Sequence, residues 1–455
     1  DELVVVGYGE QSRRLITASI SKLDNRVLEN IPYTNIGTSL KGALPGVRVQ
    51  SLSGQPGDAP RIIVRGGTSI NNPDGANPLY VVDGVIRPDL YHINSNDIES
   101  IQVLKDASAT AIYGARASNG VVIITTKTGK IDKTLIGFKY NLTTSKMNLG
   151  FKPLSARDYI YYQRLGIQRV GLRFPAELIK LDGELSVGTG NDLTNRTAYS
   201  TQYLSEENKH KLNEGWQSMP DPLDPTKTII FADTDWQSIL FRTGMSHDYN
   251  LTASGGTEKA LFNLGVGYQT NEGIVKNSSY DRISLNMNGS VKPFENLTLL
   301  GRMLYSNSST SSVSGDAVFG FAMGVAPTAK YRFEDGTLSP GPGNSSGNPD
   351  YKFQRTDIKN SNDRLTLVVG GIWEIIPSLL IFETQVSRLI SAGKYRAFTK
   401  SMLTSPTTIN DARNASGSYN ETLQDQIDAA FSLEKSIRNI HNINAKLGYS
   451  YFKST

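Results

Sequence analysis

Phe262-Asn263-Leu264-Gly265-Val266-Gly267-Tyr268-Gln269 sets an apolar side chain against a polar or absent one at every step. Successive side chains on a strand point to opposite faces. Phe262, Leu264, Val266 and Tyr268 therefore share one face, and Asn263, Gly265, Gly267 and Gln269 the other. The same grammar recurs along the chain. Ile283, Leu285 and Met287 oppose Arg282, Ser284, Asn286 and Asn288, and Leu365, Leu367, Val369 and Trp373 oppose Arg364, Thr366 and Glu374. Ile427, Ala429, Phe431 and Leu433 likewise oppose Gln426, Asp428 and Ser432. The periodicity predicts nine strands, near 134–147, 244–254, 259–270, 279–291, 296–307, 362–375, 379–391, 420–435 and 441–453.

The connections alternate too. Short ones (Gly255–Glu258, Lys292–Glu295, Ile376–Ser378, Ser436–Ile440) are interleaved with longer ones at 148–243, 271–278, 308–361 and 392–419. A soluble sandwich or propeller also alternates its faces, but it gives no reason for loop length to alternate. A transmembrane barrel does, with short turns at one rim, long loops at the other, and strands that are apolar outside and polar inside. Bacterial single-chain barrels use an even number of strands, and hydrocarbon does not tolerate an open sheet edge. With nine strands and alternation still running at Tyr449–Phe452, the sequence is expected to be the N-terminal part of a longer protein.

Composition narrows the function. The 455 residues carry 47 basic and 43 acidic side chains, a net charge of +4, too balanced for a nucleic-acid partner. There is no cysteine, and His92, His210, His247 and His441 are scattered, so neither a metal nor a cofactor is expected. Apolar runs such as Leu3–Val6 and Val121–Ile124 fall far short of the roughly 20 residues of a membrane helix. No G-x-S-x-G, H-E-x-x-H or G-x-x-x-x-G-K-[ST] pattern is present, and no enzyme is expected.

Residues 1–130 have a different texture, with small strands and helices between Gly and Pro punctuation. A short helix is predicted over Thr38–Leu44, with strands over Val47–Leu52, Arg61–Arg65, Ile98–Leu104 and Gly120–Lys127. Asp83-Gly84 between the apolar runs of Leu79–Ile86 is a strong hairpin signal. Asp106 is expected to cap a helix over Ala107–Tyr113 that ends at Gly114.

Particular wordings in this region carry a family resemblance. They are Leu40-Lys41-Gly42-Ala43-Leu44-Pro45-Gly46-Val47, Ser53-Gly54-Gln55-Pro56-Gly57, Ile63-Val64-Arg65-Gly66, Asn77–Val85 and Ile98–Asp106. The run Ala107–Gly120 (ASATAIYGARASNG) followed by Val121–Lys127 is the most specific. Together they resemble the SusC/RagA branch of the TonB-dependent outer-membrane transporters. Thr234-Asp235-Trp236-Gln237 and Asn271-Glu272-Gly273-Ile274 have the same look. The resemblance implies an α+β plug domain (13–130) followed by an antiparallel transmembrane β-barrel (131–455), with about nine strands present of an expected 22.

It also implies localisation in the bacterial outer membrane and TonB-dependent active import of a glycan or an oligopeptide. The implied partners are TonB, a SusD-like surface lipoprotein that captures substrate, and the lipid bilayer, with a dimer of transporter–lipoprotein pairs as the assembly. A non-transporting receptor or adhesin barrel, and a siderophore or cobalamin receptor, are the alternatives. Asp1–Gly9 resembles a TonB box, so Glu2, Leu3, Val4, Val5, Val6 and Gly7 are the expected TonB contacts within a box and linker of residues 1–12. An extended apolar run at a free end can add as a strand to a partner's sheet; the competing reading is simply the first strand of the plug.

Other candidates come from the residues. Asn71, Asn72, Asp74 and Asn77 lie in a polar loop suited to meeting ligand. Arg61, Arg65 and Arg116, with Lys105, are expected to meet lumen-facing acids such as Glu374, Glu383 and Asp428. Tyr331, Phe333 and Tyr351 in the 308–361 loop are expected to offer stacking faces to a ligand.

Overall fold

The computed structural model describes residues 3–5, 10–12, 20–24, 35–51, 53–64, 77–131, 134–148, 150–191, 196–312, 315–343, 347–437 and 441–455. Nine strands form one antiparallel sheet in chain order: Leu135–Ser145, Gly244–Gly256, Ala260–Glu272, Ser279–Phe294, Leu297–Ser311, Thr356–Ile376, Leu380–Thr399, Asn414–Ile437 and His441–Ser454. Each inner strand pairs with both sequence neighbours, as where Tyr268 lies between Tyr249 and Ile283. That order sends successive connections to opposite rims. Links 257–259, 295–296 and 377–379 turn at one rim, and links 146–243, 273–278, 312–355 and 400–413 at the other.

Several strands run further toward the long-link rim than their apolar alternation indicates. Thr356–Asp363 and Asn414–Thr422 continue the ladder with mostly polar residues, on either side of Ala392–Thr399. Backbone pairing needs no apolar side chain, so these extensions left no hydropathic mark.

Burial runs opposite to that of a soluble sheet. Gln269 is 1% exposed and Arg282 2%, whereas Val369 is 69% exposed and Ile283 49%. Aromatic rings pair along the outer face, Tyr140 with Tyr249 at 4.9 Å between centroids, Tyr249 with Tyr268 at 6.3 Å and Phe382 with Phe431 at 4.7 Å. A continuous apolar exterior of this extent marks a surface made for lipid. No helix among the described residues is long and apolar enough to cross a membrane.

The N-terminal unit covers the polar face. Its five-stranded sheet has the order Ile20–Asp24, Ile98–Leu104, Val121–Thr126, Leu79–Val82, Val85–Arg87, with Leu79–Val82 parallel to Val121–Thr126. One side packs Ile36, Leu40 and Ile62 against Ile101 and Val122, and the other packs Ala109 and Ala117 against Val121 and Ile123. Burial on both sides explains the unbroken apolar run Val121–Ile124. Leu3–Val5 and Glu10–Ser12 form a separate two-stranded ribbon outside this sheet. The expected helix over Ala107–Tyr113 is instead one α-turn, Ala107–Thr110, passing into a 3-10 segment, Ala111–Ala117. Gly114 at φ 63° breaks the path there, and Asp106 makes no side-chain cap bond. The first expected helix is also a 3-10 segment, Ile36–Leu40.

Links 146–243 and 312–355 fold together into a cap, joined by Thr234 N–H to Pro327 O at 2.9 Å and Lys330 N–H to Ala198 O at 2.9 Å. Helix Ala156–Gly171 starts at Ser155, whose hydroxyl accepts the Asp158 amide. Arg164 on that helix is buried against Asp221 at 2.8 Å and also donates to the Leu181 and Val187 carbonyls. Phe333 and Tyr351 lie in the cap's interior and the Tyr331 hydroxyl donates to Asp350, so the aromatics expected to stack on ligand hold the cap together instead.

Asp221→Ala leaves the Arg164 guanidinium buried without its counter-charge and is expected to loosen the cap by about 3–5 kcal/mol. Hydrogen exchange should then speed up over Ala156–Gly171 while the wall strands stay protected. Unchanged exchange over that helix would show that the pair does not hold the cap.

Candidate functional site

The contact between the N-terminal unit and the wall begins at the Asp83-Gly84 turn. Both residues have positive φ, 50° and 85°, as a tight two-residue hairpin turn requires. The Asp83 carboxylate is held inside the unit by the Thr126 amide at 2.9 Å and hydroxyl at 2.7 Å. The turn's carbonyls are left facing the wall. Asp83 O accepts from Arg302 and Gln385, each at 3.3 Å, and Gly84 O accepts from Gln426 at 2.9 Å. Gln426 Oε1 in turn accepts the Ile86 amide at 3.0 Å.

Residues 87–97 carry the contact up and across. Arg87 donates to Thr366 Oγ1 at 2.7 Å, Arg282 to Ile93 O at 3.2 Å, and Asn94 to Asn250 Oδ1 at 2.7 Å. Asn96 reaches Asp248, and Asn288 donates to Thr126 Oγ1 and Lys127 O. The seam is polar almost throughout, and many of its acceptors are main-chain carbonyls. Contacts run from Lys139 on the first wall strand, which donates to Asn96, to Phe452 on the last, so the sheet curls around the unit.

Two inward glycines let the chains meet. A Cβ at Gly265 would stand 2.2 Å from Asp97 Oδ1, and one at Gly267 would stand 2.4 Å from Asn94 Nδ2. At the long-link rim, Gly57 (φ 85°) lies flat under the Tyr280 ring. Burial raises the Asp97 carboxyl to about 6, with Arg282 and Lys127 pulling the other way. Burial, reinforced by Arg364, keeps the His92 imidazole neutral, with its pKa down at about 3.

A buried ion pair crosses between the two bodies. Arg364 grips Asp89 with two parallel hydrogen bonds, Nη1 to Oδ1 at 2.6 Å and Nη2 to Oδ2 at 3.0 Å. Burial pushes the Asp89 carboxyl up, but those bonds outweigh it and hold it below the usual range. The pair borders a cavity of about 670 Å³ at the long-link rim, whose walls include Gln55, Tyr91, Tyr280, Asn362, Tyr395 and Asn420. A second cavity, of about 420 Å³, lies between the Gly84 turn, residues 112–116 and the wall at Arg302 and Gln426.

The residues singled out from the sequence fall variously. Arg116 sits over the Phe452 ring at 4.6 Å, so it meets the wall through an aromatic face. Glu383 pairs with Lys446 at 3.1 Å, Asp428 accepts from Gln426, and Glu374 is exposed near a short turn. Lys105 is turned inward to Ser21 and Pro45. Arg61 is the half-buried first residue of an otherwise buried strand, and Asn77 is exposed with its carbonyl 3.4 Å from the Asn119 side-chain amide. Arg65, Asn71, Asn72 and Asp74, like Glu2, Val6 and Gly7, lie outside the described residues, and of Leu3, Val4 and Val5 the backbone alone is described. Sequence reasoning missed Asp89, Asn94, Asn96 and Asp97. For Asn94 and Asp97 the signal was the pair of glycines at inward positions of strand Ala260–Glu272.

Residues 12–121 match the family model described as the TonB-dependent Receptor Plug Domain. The chain is 29% identical over 443 residues to the TonB-dependent receptor SusC of Bacteroides thetaiotaomicron, covering 89% of this chain and 38% of that protein. It is 30% identical over 343 residues to the TonB-dependent receptor P26 of Formosa agariphila, covering 74% of this chain and 30% of that one. Its fold matches the RagAB peptide importer in its closed-closed state with a TM-score of 0.76 at 21% identity, and in its open-open state with 0.74 at 23%. Those matches cover 96% and 100% of this chain but 48% and 49% of the importer chain. The chain thus spans well under half of these receptors and about half of the importer chain.

Gly265→Val is expected to unseat segment 94–97, exposing the N-terminal unit to limited proteolysis, while Gly301→Ala, with open space around it, leaves the digestion pattern unchanged. Asp97 gives a pH signature. Its folded pKa of about 6 lies above the ordinary 3.8, so the native state holds the extra proton between about pH 4 and 6. Seating should therefore weaken as pH rises through that window, by at most about 3 kcal/mol, and level off above it. Melting curves of the wild type should show this slope and those of Asp97→Asn should lack it; identical slopes would remove Asp97 as the source.

Proposed function

We propose, from the premise that the chain belongs to the TonB-dependent receptors of the SusC/RagA kind in the bacterial outer membrane, that it takes part in active import of a glycan or an oligopeptide. The N-terminal unit is the plug and the nine-stranded sheet is barrel wall. Substrate bound at the long-link rim would be passed inward when the plug is displaced or remodelled by force applied through TonB. A SusD-like surface lipoprotein is the proposed capture partner, seated on the cap built from links 146–243 and 312–355, in a dimer of transporter–lipoprotein pairs.

The observation that carries this reading is the seam. Apart from the Arg364–Asp89 pair, plug and wall meet largely through separate hydrogen bonds, many to backbone carbonyls, the neutral ones worth about 1 kcal/mol each because water can replace either partner. A static stopper gains nothing from such a contact, whereas a gate needs one. The ribbon of Leu3–Val5 with Glu10–Ser12, outside the plug sheet, supports a box that force can reach without first unravelling that sheet.

Deleting residues 1–7 from the full-length receptor is expected to leave folding and ligand binding intact and to abolish energy-dependent uptake. Radiolabelled substrate accumulation in cells, beside binding to the purified receptor, checks this. Uptake at the wild-type rate would defeat the assignment of the box.

A further inference from the structure

The cavity at the long-link rim is lined mostly by neutral groups: amides at Gln55, Asn362 and Asn420, and rings at Tyr91, Tyr280 and Tyr395. Its floor is different. Arg364 is 93% buried in the lining and its Nε has no hydrogen-bond partner, although both of its other nitrogens are engaged. The charged groups of the lining are Asp58 and Asp89 against Arg364 and Lys394, with Arg282 and Arg87 also acting on His92. Lys394 leans toward Asp363 at 3.7 Å, which leaves Arg364 as the buried cation of the lining.

Arg364 belongs to the wall and its counter-ion to the plug. Any displacement of segment 87–97 strips a buried guanidinium of its partner, which is costly unless another anion takes the place. The cavity is the side from which one can arrive. We propose that Arg364 is a receptor for a ligand carboxylate, which takes over the bidentate grip from Asp89 and so frees the plug segment 89–97 when the cavity is filled. A neutral ligand of the same shape fills the cavity without releasing the latch. The carboxylate is the chain terminus of a peptide or the C6 acid of a uronate, and planar bidentate recognition serves both. This rests on the transport reading for its consequence but not for its binding chemistry.

The test is isothermal titration of the full-length receptor with two matched pairs of probes: N-acetyl-tetra-alanine as free acid and as C-terminal amide, and tetragalacturonate against tetragalactose. One free-acid probe is expected to bind about tenfold more tightly than its neutral counterpart; which pair does so identifies the source. Asp89→Asn removes the competing carboxylate and should tighten that probe further. Arg364→Gln should erase the preference and Arg364→Lys should keep part of it. Hydrogen exchange over the wall strands establishes that each variant is folded, and exchange over residues 87–97 should rise with the free acid and not with its neutral partner. Equal binding within both pairs, no binding by either acid, or a preference that survives in folded Arg364→Gln would overturn the proposal. Loss of the box's role in uptake, with the preference intact, would overturn the transport reading alone.

Discussion

A strand in hydrocarbon must find hydrogen-bond partners for its whole backbone within the protein, because lipid supplies none. Nine consecutive antiparallel neighbours meet that demand along their shared edges, and the outward face then has to be apolar. The polar half of each strand is driven inward, where Arg282, Arg302, Arg364, Gln385 and Gln426 need partners of their own. The plug supplies them, largely from the carbonyls of its 83–97 segment. The chemistry of the seam is thus a consequence of the solvent on the other side of the wall.

That origin separates two kinds of cohesion in one molecule. Within the plug, Ile98, Ile101, Val122 and Ile124 are fully buried, and each such side chain contributes about 1.5–3 kcal/mol by leaving water. Across the seam each neutral bond contributes about 1 kcal/mol and water can substitute for it, the Arg364–Asp89 pair being the exception. Core and seam are thus held by different kinds of interaction, and loss of the second need not disturb the first.

Much of this was legible in the sequence. Period-two alternation placed all nine strands, because one face had to be apolar, and Asp83-Gly84 fixed the hairpin whose carbonyls start the seam. The polar upper ends of Thr356–Ile376 and Asn414–Ile437 were illegible, since pairing there is carried by the backbone alone. Partner choice was illegible as well. Parity shows that Arg364 and Glu383 both face inward, but Arg364 finds plug Asp89 while Glu383 is taken by Lys446 two strands away. Alternation gives the side of a sheet and says nothing of height relative to a second body. Phe333 and Tyr351 misled for a related reason: a long polar loop reads as exposed until it is known to fold on another loop.

The 83–97 segment is held at several places, and they are not equivalent. At Gly84 the grip is a glutamine on a carbonyl, and at Asn94–Asp97 it is amide contacts in the groove that Gly265 and Gly267 leave in the wall. Both depend on close fit, although charged side chains such as Arg302 and Asp248 take part in them. Asp89 with Arg364 is the ionic anchor between them, and its energy falls as the inverse of distance in a site that water screens poorly. Charge arriving at the rim is therefore felt at the middle anchor before any contact is made, while the outer two respond only to movement. The glycine groove fixes the height of the segment, which sets Asp89 opposite Arg364. A small change in wall shape at residues 265–267 therefore alters an ion pair that neither glycine touches.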